Sequence, residues 1–287
     1  MAIASTKEVR TDFESRYRLD DKLGSGGAGV VFKGYDFLLK RPVAIKKIRA
    51  DRLDLDEAQQ NELLEEAEAI CQVQHPNIVS VFDVGRDDNG SFIVMELLDG
   101  FDLELLASDG KLLFEQFREL AIQSLEGLVA AHEMKVLHLD IKPANLILVW
   151  LPSGRLHVKI VDFGLAYIQP QLENINNSTV RRSLKGSIYF MSPEQLNGEA
   201  LDHKSDLYSL GCLFYYSLTG KHPFQGDSAV QVMASHFQAQ VQPISELRKD
   251  LPDSVSAWIM KLISRNPSER PTNTLEALDN FLEIIGW

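Results

Sequence analysis

Residues 138–147 read HLDIKPANLI, with a histidine, an aspartate, a lysine and an asparagine around a proline and between apolar runs. Those types can do chemistry together. The Asp140 carboxylate can accept a proton, the Lys142 ammonium can touch a phosphate, and Asn145 can offer its amide oxygen to a metal. Further on, VKIVDFG puts Asp162 behind a β-rich run and before a glycine, where a carboxylate can hold Mg²⁺. Each residue alone also has a plainer reading, as a turn aspartate, a solvated lysine or a polar loop residue.

Two stretches nearer the N-terminus could serve a phosphate-bearing ligand. LGSGGAGVV carries Gly24, Gly26 and Gly29 between two expected strands. Glycines let the backbone approach a phosphate and point N–H groups at it. The pattern also marks dinucleotide-binding folds, but those need a helix directly after the glycines, and VVFKGYD reads as strand. A plain glycine-rich hairpin is the other reading. VAIK then puts Lys46 on the next strand with apolar flanks Val43, Ala44 and Ile45, so the lysine sits on a strand under cover. Glu62, Glu65, Glu66 and Glu68 on the following helical stretch are candidate partners, and Glu66 is the chosen one.

These residues must be positioned by a small β-rich part followed by a larger helical part. Residues 1 to about 15 are polar and read as loose. Tyr17 to about Ile48 reads as strand and turn, rich in Val, Ile and Phe with glycine at the turn. Leu55 to Val73 has helical spacing, with Leu63, Ala67 and Ile70 on one face, and His75-Pro76 ends it. IVSVFDVG and SFIVMELL read as two strands joined by RDDNG. Residues 114–134 read as a long helix, followed by the opening loop, short strands around LILVW and VKIVDFG, and a mostly helical remainder. The loop WLPSGRLH is longer than a tight hairpin and leaves Trp150 and Leu151 either as a small partner surface or folded on their own lobe.

Composition narrows the function classes. The 287 residues are 45% hydrophobic and 24% charged, as in an ordinary folded protein, and suffice for two lobes around a cleft. The net charge of −12 disfavours non-specific binding to nucleic acid or anionic membrane, so no nucleic-acid partner is expected. Any phosphate site must be built locally, from backbone, lysines and a metal. Cys71 and Cys212 lie far apart in apolar surroundings and read as buried free thiols. With no signal peptide and no apolar run of about 18 residues, a cytoplasmic protein without a membrane span is expected.

In the order glycine loop, strand lysine, helix glutamate, HxDxKxxN and DFG, the chain resembles the protein kinase family, specifically its Ser/Thr branch, from about Tyr17 to Ile285. GSGGAG, VAIK, HLDIKPAN, DFG, SPE, DLYSLG and NPSERPT carry the resemblance, and the phrasing is similar to bacterial eukaryotic-like kinases. The resemblance implies an α+β bilobal protein-kinase fold. A small antiparallel β-rich N-lobe with one main helix (about 17–98) would follow an extension (1–16) and precede a larger helical C-lobe (about 99–286). It implies ATP and Mg²⁺, with Mn²⁺ as an alternative, and protein substrates bearing Ser or Thr. Self-association for autophosphorylation is a further expected partnership.

By the same resemblance Leu23, Gly24, Ser25, Gly26, Gly27, Ala28 and Gly29 cover the nucleotide, with Val31 and Ala44 beside it. Lys46 contacts the α and β phosphates and is held by Glu66. Met95 lines the adenine pocket, and Glu96 to Leu98 form the hinge. Asp140 orients the substrate hydroxyl and takes its proton, Lys142 steadies the transferring group, and Asn145 and Asp162 bind Mg²⁺. Ser187 is expected to contact Asp140 and Lys142. His138 and Phe163, with Ile70 and Val81, match an apolar stack that links the lobes. Asp206 ties the catalytic loop to a central helix, and Glu194 pairs with Arg270.

Two departures stand out. The glycine-loop tip, Gly27-Ala28, lacks an aromatic residue. Leu139 stands where the family usually has arginine, so the expected activity depends weakly on phosphorylation of the segment from Asp162 to Glu194. The rivals are a pseudokinase that keeps the fold as an ATP-binding scaffold, and a small-molecule kinase. The presence of Lys46, Asp140 and Asp162 speaks against the first, and SPE and DLYSLG against the second.

Overall fold

A computed structural model describes residues 13–25, 29–48, 69–87, 90–108, 112–163 and 186–287. The expected roles of Gly26, Gly27, Ala28 and Glu66, and the hydroxyls Ser178, Thr179 and Ser183, lie outside the described residues. The chain divides into two compact units, one of residues 1–71 with 80–97 and one of residues 72–79 with 98–287.

The smaller unit is an antiparallel sheet in the order β1-β2-β3-β5-β4. Its strands are β1 (Tyr17–Ser25), β2 (Gly29–Asp36), β3 (Arg41–Ile48), β4 (Val81–Asp87) and β5 (Gly90–Met95). Period-two alternation divides β3 between two faces. Val43 and Ile45 pack with Phe92 and Val94 in one core cluster. Ala44 and Lys46 occupy the alternate positions, with Ala44 opposite Met95 and Lys46 opposite Ile93. Gly29 is needed by the sheet itself, since a Cβ there would collide with the Lys47 carbonyl.

Residues just before β1 differ from expectation. Instead of a loose tail, Phe13–Arg16 form one helical turn, α1. Phe13 is buried against Tyr17 and Phe92, at ring separations of 5.4 and 4.7 Å. Arg16 donates to Asp36 at 3.2 Å and Asp83 at 2.6 Å, and Tyr17 donates to Asp83 at 2.6 Å. An apolar ring and a shared cation thus hold the turn to the sheet, which a composition-based reading misses.

The expected strand over residues 78–85 begins only at Val81. Residues 77–79 belong instead to the larger unit and pair within it: Val79 N–H donates to the Ile160 carbonyl at 2.9 Å, and Ile160 N–H to the Asn77 carbonyl at 2.8 Å. Asn77 adds side-chain bonds to Gln123 and to the Val158 carbonyl. Backbone groups already used there cannot extend β4.

In the larger unit, β6 (Phe101–Asp102), β7 (Leu146–Trp150) and β8 (Leu156–Ile160) form a small antiparallel sheet. The short helix α2 (Leu103–Ser108) follows β6, and the long helix α3 covers Phe114–Glu133. Its buried residues, Phe117, Leu120, Ala121, Ser124, Leu125, Leu128 and Ala131, recur at three- and four-residue spacing. Gly127 lets α3 close on β8, because a Cβ there would sit 3.0 Å from Ile160. The β7–β8 loop leaves Trp150 and Leu151 exposed at 46% and 40%. Cys212 is a buried free thiol as expected, whereas Cys71 is only half-buried.

Downstream lie α4 (Pro193–Asn197), α5 (His203–Thr219), α6 (Ala229–Gln238), α7 (Ile244–Leu247), α8 (Asp253–Leu262) and α9 (Thr274–Ile285). Helix α5 is buried along nearly its whole length and is the core around which the unit packs. Its Phe214 meets Phe117 edge-on at 5.3 Å, and Phe117 meets Phe281 of α9 at 5.8 Å. Among the described residues no helix is long and apolar enough to cross a membrane.

Glu194 of α4 and Arg270 make a buried pair of bonds at 2.6 and 3.0 Å. Ser205 also donates to Glu194, and Arg270 reaches the carbonyls of Lys204, Ser264 and Arg265. Arg270→Met should therefore strand a buried carboxylate and cost about 3–5 kcal/mol, read as a loss of urea unfolding free energy. A loss below about 1 kcal/mol, the surface-pair range, would mean the pair is hydrated in solution.

Candidate active site

The loop after α3 is built around Asp206, whose side chain is fully buried on α5. One carboxylate oxygen accepts from the His138 N–H and the His132 ring, both at 2.8 Å, and the other from the Leu139 N–H at 2.7 Å. Burial alone would raise this carboxyl, but the His132 hydrogen bond and the charges and donors around it hold it below the usual range. His132 is fixed in turn by Thr274 at 2.7 Å.

His138 is buried and neutral. Its Nδ1 accepts from the Asp140 N–H at 3.2 Å, so its Nε2–H donates to the Val161 carbonyl at 3.0 Å. Burial lowers its pKa, against the opposing pull of Asp206 and Asp140. Its ring lies 4.6 Å from Phe163.

Leu139 has φ of 59°, a left-handed conformation that a leucine adopts only when neighbours over-determine it. Two side chains do so here. Asp206 takes its N–H, and the Gln195 amide of α4 donates to its carbonyl at 2.8 Å. Gln195 also completes a capping box with Ser192. Sequence reasoning missed Gln195 and His132, since neither belongs to a local motif that contains Asp140.

With the backbone so held, the candidate side chains converge. Lys142 Nζ donates to Asp140 Oδ2 at 2.6 Å and to Ser187 Oγ at 3.0 Å. Asn145 Nδ2 donates to the Asp140 carbonyl at 2.8 Å and to Oδ2 at 3.2 Å. Ser187 was expected to contact both Asp140 and Lys142; among the described residues its hydrogen bond is to Lys142. The Asn145 amide nitrogen is committed to Asp140, and no hydrogen bond engages its oxygen among the described residues. That leaves a hard oxygen donor suited to Mg²⁺. Asp162 follows β8 with φ of 62°, a region aspartate tolerates better than most residues.

The smaller unit carries the remaining candidates. Lys46 is 4% exposed on β3, opposite Val31 of β2 and Ile93 of β5. Gly24 pairs with Val31, and a Cβ on it would meet nothing within 4 Å among the described residues. Leu23 is 53% exposed, and Ser25 ends β1. Ala44 and Met95 face each other across the β3–β5 register. Glu96 accepts from the Ser80 N–H at 2.8 Å, which fixes the chain just ahead of Leu98.

Asp206→Asn should replace an acceptor with an N–H₂ group facing donors, at a cost of about 3 kcal/mol in unfolding free energy. The sign with pH follows from the lowered folded pKa. The contribution of Asp206 is intact above the unfolded carboxyl value of about 3.9 and is lost as pH falls through the folded value. Urea unfolding between pH 3 and 7 should show the variant losing less stability than wild type at the acid end, and parallel curves would remove Asp206 as the anchor.

The family model described as protein kinase domain matches residues 17–282. A probable serine/threonine-protein kinase of Clostridium acetobutylicum is 33% identical over 277 residues, 96% of this chain and 41% of that protein. A probable serine/threonine-protein kinase of Streptomyces coelicolor is 39% identical over 260 residues, 89% of this chain and 38% of that protein. The chain therefore spans about two fifths of these relatives' length. The kinase domain of Mycobacterium tuberculosis PknI has the same fold, with a TM-score of 0.73 and 22% identity over 95% of this chain and 96% of that one. With the family model covering nearly the whole chain, this protein belongs to the protein kinase domain family.

Proposed function

We propose that the chain transfers the γ-phosphate of ATP to serine or threonine hydroxyls of proteins, with Mg²⁺ as the cofactor. The observation that carries this reading is Asp140, a carboxylate bonded on one oxygen by both Lys142 and Asn145, with Lys142 also bonded to Ser187. The names of the bacterial relatives support the serine/threonine class. In this reading Asp140 receives the proton of the acceptor hydroxyl through its other oxygen. Lys142 lies beside the point where charge moves. The Asn145 amide oxygen and Asp162 would hold Mg²⁺, which supplies charge neutralisation at the phosphates. Lys46, drawn from the apolar β3, would bind the α and β phosphates, and the backbone at Gly24 would lie against them. Positioning and charge compensation account for most of the expected acceleration, because the chain provides no covalent step.

The test is incubation with labelled ATP and Mg²⁺, alone and with a generic basic protein, followed by mass spectrometry of the modified sites. Lys46→Met should lower transfer by at least about 10²-fold in a folded protein, by analogy with losing one charge-stabilising donor. ATP should raise the melting temperature more with Mg²⁺ than with EDTA, and Asp162→Asn should remove most of that difference. Wild-type turnover in Lys46→Met would refute its assignment. Equal thermal shifts with and without metal would favour an ATP-binding scaffold.

Weak dependence on phosphorylation is part of the same reading. An arginine before Asp140 would offer a phosphate a bidentate partner, and its unpaired charge would loosen the phosphorylated segment until one arrived. Leu139 has neither charge nor side-chain donor, and both its backbone polar groups are taken by Asp206 and Gln195. The conformation of the loop that carries Leu139 and Asp140 is thus supported without a phosphate. A variant with Ser178, Thr179 and Ser183 all changed to alanine should keep activity on an external peptide within about tenfold of wild type, or roughly 1.4 kcal/mol in the barrier. A larger drop, shared by phosphatase-treated wild type, would show that the loop is still coupled to phosphorylation.

A further inference from the structure

Outside the catalytic loop, an imidazole is clamped between two phenol rings. His222 stacks on Tyr189 with ring centroids 4.0 Å apart and planes 14° apart, and on Tyr216 of α5 at 4.7 Å and 11°. Phe190 closes the edge at 5.4 Å and 78°. The backbone beneath His222 is fixed. Gly220 caps α5 at φ of 68°, Thr219 bonds Lys221, and the Gln225 amide donates to the His222 carbonyl at 2.9 Å. Burial pushes the His222 pKa down to about 4, so the ring is uncharged at neutral pH. Its Nδ1 is buried and has no hydrogen-bond partner among the described residues. The contacts that hold this ring are aromatic faces.

What the clamp holds is the segment that begins at Ser187. Ser187 bonds Lys142, and its carbonyl accepts from the Phe190 N–H at 2.9 Å. The Ile188 carbonyl accepts from His236 at 3.0 Å. Tyr189 comes next, and residues two apart lie within about 7 Å along the chain. Beside it opens a groove of about 490 Å³ lined by Tyr189, Lys221, His222, Gln225 and Asp227 with two glycines. The Lys221 ammonium and the Asp227 carboxylate have no ion-pair partner among the described residues. Tyr189 of the groove lies only two residues after Ser187, whose hydroxyl accepts from the same Lys142 that donates to Asp140, so residues flanking a hydroxyl held at Asp140 come within reach of this groove.

We propose that His222 is a positioning residue for the polypeptide acceptor: its ring, held between Tyr216 and Tyr189, fixes the Ser187–Phe190 turn so that the adjoining groove can seat the residues flanking the acceptor hydroxyl. The inference rests on the kinase reading above for its substrate, but the clamp itself does not. A pair of aromatic contacts, rather than a hydrogen bond, sets the geometry, so a flat apolar ring can substitute for the imidazole.

The experiment compares the full chain as wild type, His222→Ala and His222→Phe. Steady-state kinetics vary ATP and a serine peptide taken from the sites mapped in the generic basic protein. Hydrogen exchange by mass spectrometry follows residues 186–192. In His222→Ala the peptide KM should rise about fivefold, the scale of one aromatic pair, with kcat and the KM for ATP within about twofold. Exchange over 186–192 should accelerate. His222→Phe should restore both readouts. An unchanged peptide KM in His222→Ala, or a Phe variant as impaired as the alanine one, overturns the proposal. If wild type transfers no phosphate, the kinase reading fails, and exchange alone then judges the clamp: equal rates in wild type and His222→Ala overturn it. Should His222→Ala not fold, Tyr216→Leu opens the same stack from the other side and must give the same pattern.

Discussion

Asp206 keeps a negative charge where its side chain meets no water, and the rest of the larger unit's chemistry hangs on how that charge is compensated. A bare carboxylate so buried would be prohibitively costly. Backbone donors from His138 and Leu139 and the ring of His132 offset the cost. Those same bonds dictate the path of the loop, because two consecutive N–H groups can point at one carboxylate only if the backbone turns. Leu139 accordingly sits at φ of 59°. The turn then sets Asp140, Lys142 and Asn145 at mutual hydrogen-bond distance. The helix that carries the acceptor is itself immobilised by packing on nearly every side, so the anchor does not drift.

Around this anchor, polar groups are placed from elements distant in the chain. Gln195 reaches Leu139 from α4, where the preceding residue, Glu194, is pinned by Arg270. Ser187 reaches Lys142 from a turn that His236 and His222 hold on its other side. Each functional contact therefore has a structural contact one or two residues away. Precision in the site comes from these neighbours, since a lysine or asparagine side chain alone has too many rotamers to hold one geometry.

The smaller unit solves a different problem, keeping a cation on a strand that is buried on both faces. Alternation along β3 gives Val43 and Ile45 to one face and Ala44 and Lys46 to the other. The first face is covered partly by Phe13, a residue ahead of the segment that the family model matches. Arg16, shared between Asp36 and Asp83, holds that cover in place. The cover is thus supplied from outside the family's own boundary.

Local patterns in the sequence settled much of this protein. The helix over Phe114–Glu133 and the strands carrying Lys46 and Met95 were legible, because apolar periodicity reflects which face an element buries. The grouping of Asp140, Lys142 and Asn145 was legible too, since residues within one short loop cannot be far apart. The turn at Phe13–Arg16, the late start of β4, the left-handed Leu139, and the parts played by His132, Gln195 and His222 were decided only by tertiary structure. Leu139 and Asp206 lie 67 residues apart, and Leu139 and Gln195 56. At such separations no window of sequence records which donor finds which acceptor. Leu139 has the side chain of an ordinary apolar residue, and its unusual backbone follows from bonds that exist only once α4 and α5 have packed.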